Sequence, residues 1–286
     1  DAAKELDVQV GFHWYRWHTP PFDNQYPHYL PAKQGFIERV NDLKEHDIIV
    51  MPYINGSSVD MNIPDFEDFE PHAVKDQTGG LRHHFYSENA GRLLSMCGNQ
   101  VYWQDVIEKL VDDIRLKYGV NGIYVDQVSG LYHELCFDKS HLHALGGGNY
   151  WALGNRDLLD KVKNVASIEG GNMVVTSEGA TEVFFDKLDA NLFWSQPSDR
   201  EIPMMQMVYS GYTLFFGSTC DYTKGDNFFR YAQGQAFIDG RQNGWMDLGL
   251  FESDYKDKVD YLKQCGKYRV NTTEYLTYGQ LLDLVE

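Results

Sequence analysis

The segment Val101–Gly130, "VYWQDVIEKLVDDIRLKYGVNGIYVDQVSG", limits the possible folds more than any other part of the chain. Its first part, up to Tyr118, carries apolar residues at helical spacing. After a turn at Gly119–Gly122, Ile123, Tyr124 and Val125 follow one another without a polar break. Neighbouring residues of a strand point to opposite faces. A strand that is apolar at every position therefore needs cover on both sides, as in a parallel sheet packed between or inside helices. This strand runs into a carboxylate, Asp126. A charge in that position costs free energy unless it is paired or has a use.

The same alternation continues along the chain. Val8–Tyr15 reads as a strand, Gly35–His46 as a helix and Asp47–Gly56 as a buried strand. Tyr150–Ser167 reads as a helix and Asn172–Gly179 as a strand. Glu182–Leu188 reads as a short helix and Ala190–Trp194 as a strand. Met204–Ser218 reads as a strand broken near Gly211, and a further helix ends at Gly240. Repeated strand–helix alternation predicts a parallel α/β fold, either a closed barrel or an open doubly wound sheet. No G-x-G-x-x-G follows a strand, and the Gly146–Gly148 run falls in a loop, which disfavours the open nucleotide-binding sheet. The reading is a single (β/α)8 TIM-type barrel domain spanning residues 1–286. The strands fall one or two short of a closed barrel. The opening "DAAKEL" reads as the end of a helix, so the expectation is a fragment of a longer protein whose first strand precedes Asp1.

Composition narrows the partners. A formal net charge of -17 argues against nucleic acid or an anionic membrane surface, both of which need a basic face. No run approaches the roughly 20 apolar residues of a membrane span. The 19 Tyr and 6 Trp supply flat apolar faces with polar tips, suited to stacking on sugar rings as well as to a core. Cys97, Cys136, Cys220 and Cys265 are widely spaced with no C-x-x-C pair, which argues against a zinc ribbon or a redox motif. Cys97 reads as a packed residue.

Several predicted strands end in polar groups: His13 and Trp14, then Tyr53 and Asn55, then Asp126 and Gln127, then Ser177 and Glu178. In a barrel these ends share the face on which active sites are built, and the long connections 55–100 and 127–148 rise above it. Asp126 and Glu178 are the sharpest candidates. Two carboxylates flanking a shared space are the equipment of glycoside hydrolysis. The structural alternative is that Asp126 caps a turn and Glu178 pairs with a basic residue. His141-x-His143 in the 127–148 loop could donate to substrate hydroxyls, bond within the loop, or bind a metal with oxygens from Asp126 and Glu178.

The stretches "GIYVDQ", "CFDKSHLHALGGGNYW" and "TSEGATEVFFDKLDANL" resemble a mostly bacterial family, domain of unknown function 6259. The resemblance runs from about Val8 to Trp245, and its most specific signal is the His-x-His loop with its three glycines. More distantly the layout is similar to endo-α-N-acetylgalactosaminidase barrels and α-galactosidase-like retaining enzymes. That likeness implies Asp126 as nucleophile and Glu178 as acid/base. It departs from those enzymes in the Asp–Glu separation, which the His–Gly loop stretches. The expected activity is cleavage of an O-glycosidic bond, with retention and without a cofactor. A carbohydrate would be the partner, held by His13, Trp14, Tyr53, Asn55, Gln127, His141, His143 and Trp194, in a secreted or periplasmic setting. The rivals are a metal-dependent hydrolase on the same face and a carbohydrate-binding barrel without catalysis.

Overall fold

The computed structural model describes residues 2–86, 90–130, 134–168, 171–193, 202–217 and 221–280. In chain order the elements are α1 (Ala2–Leu6), β1 (Gly11–Trp14), α2 (Phe36–Glu45), β2 (Ile49–Asn55), β3 (Ser58–Asp60), α3 (Phe66–Phe69), β4 (His83–His84) and β5 (Leu93–Ser95). They continue with α4 (Val101–Tyr118), β6 (Gly122–Asp126), α5 (Tyr150–Ala166), β7 (Val174–Glu178), β8 (Ala190–Leu192), α6 (Met204–Tyr209), β9 (Leu214–Phe216), α7 (Asp226–Ile238), α8 (Lys256–Asn271) and α9 (Thr273–Leu276). The chain forms two compact units, residues 11–177 and residues 1–10 with 178–286, divided at the end of β7.

In the larger unit β1, β2, β6 and β7 form a parallel ladder. Gly11 pairs with Ile49, Tyr53 with Tyr124, and Val125 with Ser177. Val50, Ile54, Ile123, Tyr124 and Val125 have no exposed surface, as the unbroken apolar runs require. The helix α4 buries Trp103, Ile107, Leu110, Val111 and Ile114, a three-and-four spacing that makes one apolar stripe. It stops at Gly119, whose left-handed backbone (φ 62°) lets its N–H reach back to the Arg115 carbonyl. The helix α5 buries Leu158, Leu159, Val162 and Val165 in the same manner and packs on α4.

The connection after β2 is not a bare loop. It holds a small antiparallel sheet in the order β3-β5-β4. Strands of two and three residues are too short to leave an alternating pattern in the sequence.

In the smaller unit β8 and β9 are parallel, with Ala190 opposite Leu214 and Leu192 opposite Phe216. Phe229, Leu250, Val259 and Leu262 form its core between α7 and α8. The stretch Met204–Ser218, expected as a broken strand, is instead the helix α6 followed by β9. Its first half, Met-Met-Gln-Met, has the straight side chains that favour a helix, and only Leu214–Phe216 stays extended. The structure is thus α/β with parallel strands. A closed eight-stranded barrel is not found among the described residues. No described helix is long and apolar enough to cross a membrane.

Candidate active site

The centre of the larger unit's ladder ends in a polar cluster. Asp126 closes β6 and lies opposite Asn55, the last residue of β2. The residue is 6% exposed. The Tyr53 hydroxyl donates to Oδ2 at 2.9 Å, and the Gln127 N–H donates to Oδ1 at 2.9 Å. The second bond depends on the backbone of Gln127, which turns out of the strand with φ 65°. Burial, then the Asp126 charge, raises Tyr53 well above the ordinary phenol range, so Tyr53 keeps its proton and acts as the donor.

Asn55 is fully buried. Its N–H donates to the Tyr29 oxygen at 2.6 Å, and its Oδ1 accepts from the Ser57 N–H at 3.0 Å. Its Nδ2 is buried without an acceptor among the described residues. Buried amide donors are nearly always satisfied, so this one fits a site that takes a polar ligand.

His13 stacks on Tyr124 with 4.3 Å between ring centroids, and burial pushes its imidazole down to about 4. Tyr15 stacks on Tyr53 at 5.1 Å. His13, Tyr15, Tyr53 and Tyr124 therefore form an aromatic group around the Asp126 strand end. Tyr15 was not among the expected site residues, although it lies two positions from His13 and strand alternation puts the two on one face.

Trp14 lies elsewhere. It packs on Phe36 of α2 at 4.8 Å, as expected for the residue after His13 on a strand that faces helices on its other side. This removes Trp14 from the expected pocket. Gln127 points its amide into a second region. Its Oε1 accepts from Ser57 Oγ at 2.9 Å and Ser58 Oγ at 3.3 Å, and its Nε2 bonds to the Tyr86 oxygen. With Ser57, His84, Tyr86, Trp103 and Trp151 it lines a cavity of about 300 Å³. Glu178 closes β7 and is half-buried. Trp194 lies outside the described residues.

His141 and His143 do not present ring nitrogens to a substrate. His141 is 3% exposed, with Nδ1 3.3 Å from Cys136 Sγ and Nε2 donating to the Pro71 carbonyl at 2.9 Å. His143 Nε2 lies 3.4 Å from Cys97 Sγ, and its Nδ1 donates to the Ala144 carbonyl at 2.9 Å. The expected roles as hydroxyl donors, or as metal ligands together with Asp126, fail because all four nitrogens are engaged by sulfur or backbone. The partners are two cysteines 39 residues apart, a separation that no local motif reveals. Within the sulfur pair, Cys136 is the thiol pulled down, first by a hydrogen bond from Cys97, while Cys97 is pushed up.

Comparison with known proteins gives three findings. The family model described as domain of unknown function 6259 (DUF6259) matches residues 1–222. A Bacteroides thetaiotaomicron protein provisionally named a glycoside hydrolase is 28% identical over 278 residues, covering 94% of this chain and 40% of that protein. The chain thus spans under half the length of this relative. Among solved structures, the α-N-acetylgalactosaminidase of Bifidobacterium bifidum in its GalNAc complex superposes with a TM-score of 0.71 at 15% identity, over 93% of this chain and 43% of that one. The α-galactosidase of Thermus thermophilus gives 0.62 at 10% identity, over 92% and 57%. At such identities the likeness is one of fold.

Proposed function

The chain belongs to the family of domain of unknown function 6259, and from that premise we propose that it hydrolyses an α-linked O-glycosidic bond with retention. Asp126 attacks the anomeric carbon as the bond to the leaving oxygen breaks. Glu178 gives that oxygen its proton. Glu178 then takes a proton from water, which attacks the same carbon and frees Asp126. Tyr53 and the Gln127 N–H fix the orientation of the nucleophile, while Asn55 Nδ2 and the His13 and Tyr15 rings meet the sugar. The observation that carries the reading is the Asp126 carboxylate, buried at the end of a central parallel strand and gripped by two donors. The provisional naming of the Bacteroides relative as a glycoside hydrolase and two α-glycosidases sharing the fold support it.

The test is a screen of chromogenic α- and β-glycosides with the intact chain and its Asp126→Ala and Glu178→Ala variants. An α-glycoside should be cleaved with the α-anomer of the sugar as first product, and Asp126→Ala should reduce turnover to background. Turnover that survives Asp126→Ala overturns the assignment. A β-anomer as first product replaces retention with inversion, for which the carboxyl groups would stand about 6.5–9.5 Å apart rather than about 5–5.5 Å.

A further inference from the structure

We propose that Cys97, Cys136, His141 and His143 form a closed, tetrahedral zinc site that staples the 134–150 loop to the β5–α4 junction. The four candidate ligand atoms lie within 4.8 Å of one another. Zinc bonds of about 2.3 Å to sulfur and about 2.0–2.1 Å to nitrogen, at tetrahedral angles, place a sulfur and a nitrogen about 3.5 Å apart. The two observed sulfur–nitrogen distances are 3.4 and 3.3 Å.

The tautomers agree with this assignment. A carbonyl can only accept, so His141 carries its proton on Nε2, toward Pro71, and His143 carries its own on Nδ1, toward Ala144. Each ring therefore turns a bare lone pair toward a sulfur. Metal-bound histidines are held in this manner, one nitrogen on the metal and the other donating to a backbone carbonyl or carboxylate. Tyr150 supports both sides of the cluster. Its ring stacks on His143 at 3.8 Å, and its oxygen accepts from the Cys136 N–H at 2.8 Å.

The loop is bent to bring the ligands together. Leu142, between the two histidines, has a left-handed backbone (φ 59°) and is 94% exposed. A leucine in that conformation is strained and gains no burial in return. At Gly146, also left-handed, a Cβ would stand 2.2 Å from the Phe137 ring, and the Gly146 N–H closes the loop onto the Cys136 carbonyl at 2.7 Å.

The charges balance. Binding Zn²⁺ releases the two thiol protons to solvent, and two thiolates with two neutral imidazoles leave a site of zero net charge. That suits a place where both cysteines are at most 1% exposed. Two thiolates and two imidazoles in a tetrahedron select zinc over magnesium or calcium. Four protein ligands leave no open position for water, so the role is structural rather than catalytic. Cys97 and Tyr150 also line the cavity that Gln127 borders, so the metal would set one wall of it.

The test does not depend on sugar hydrolysis. The intact chain, expressed in zinc-supplemented medium and washed with a weak chelator, is analysed for metal. Its thiols are alkylated before and after treatment with a strong chelator, and its Tm is measured in both states. The expected result is about one zinc per chain. Cys97 and Cys136 should be protected until the metal is stripped, and Tm should then fall by more than about 5 °C. Cys97→Ser and His143→Gln should each lose the zinc. Should those variants not fold, cobalt substituted into the unaltered chain should show the intense visible bands of a tetrahedral thiolate site. A chain that takes up no zinc overturns the proposal. So does zinc retained in both variants, a Cys97–Cys136 disulfide in freshly purified protein, or octahedral cobalt.

Discussion

Tyr53 reaches across from β2 to donate a hydrogen bond from its hydroxyl to Asp126 on β6, 2.9 Å away, with both side chains buried. Tyr53→Phe keeps the ring and its stacking on Tyr15 but removes the donor. A buried carboxylate that loses a hydrogen bond costs about 1.5–3 kcal/mol. Unfolding in urea should therefore show a loss of that order. On a chromogenic α-glycoside, kcat/KM should fall by roughly 10–100-fold, since the freed carboxylate is no longer aimed. An unchanged kcat/KM with lowered stability would make Tyr53 a purely structural partner of Asp126.

If Glu178 is the proton donor, its loss should depend on the leaving group. A nitrophenolate departs with little help, whereas a sugar alkoxide needs its proton. Glu178→Ala should retain much of the wild-type kcat/KM on a dinitrophenyl glycoside and lose about 10²–10⁴-fold of it on a disaccharide. Steady-state kinetics on two substrates of the same sugar reads the contrast. Equal losses on both would remove Glu178 from the acid role.

Gly154 of α5 is where that helix comes closest to the turn after Cys97. A Cβ there would stand 2.5 Å from the Gly98 carbonyl oxygen and 2.6 Å from the Asn99 backbone. Backbone cannot step aside as a side chain can. The Gln104 amide also bridges the two segments, donating to Gly98 O at 2.9 Å and Gly154 O at 3.1 Å. Gly154→Ala should destabilise the chain by at least about 1–3 kcal/mol, despite the higher helix propensity of alanine. Thermal unfolding measures it, and a neutral or stabilising effect would mean that α5 can shift.

The sequence discloses the parallel strands and long helices because each carries a periodic signal. The unbroken apolar run Ile123–Val125 and the stripe from Trp103 to Ile114 could be little else. The hydrogen-bonded strand ends Tyr53, Asn55, Asp126 and Gln127 were legible for the same reason: a polar residue terminating an apolar strand is conspicuous. What stayed hidden depends on contacts between distant segments. The pairing of β3, β4 and β5 involves strands with no period to read. His141 and His143 are visible as a pair, but their sulfur partners are not, because Cys97 arrives from before α4. Trp14 shares the strand end with His13, but strand parity sends alternate residues to opposite faces and its ring packs on Phe36 instead.

His18 ties stability to pH. It is 1% exposed, its Nδ1 donates to the Pro20 carbonyl at 2.7 Å, and its Nε2 is buried without a hydrogen-bond partner among the described residues. A proton on Nε2 would place a charge among Trp17, Phe22 and Tyr29, with the Lys33 charge opposing it. Burial, reinforced by Lys33 and only partly offset by Pro20, lowers its pKa from 6.5 to about 4. Between these values the unfolded chain binds a proton that the folded chain refuses, so stability is complete above about pH 6.5 and is lost as pH falls toward 4. At pH 5 the loss from this residue should be about 2 kcal/mol relative to pH 7. His18→Asn keeps a donor for Pro20 but has no proton to gain. Urea unfolding at pH 7 and pH 5 should show the wild type weakening by about 2 kcal/mol more than this variant. Parallel pH dependence in the two proteins would mean that His18 titrates normally in the folded chain.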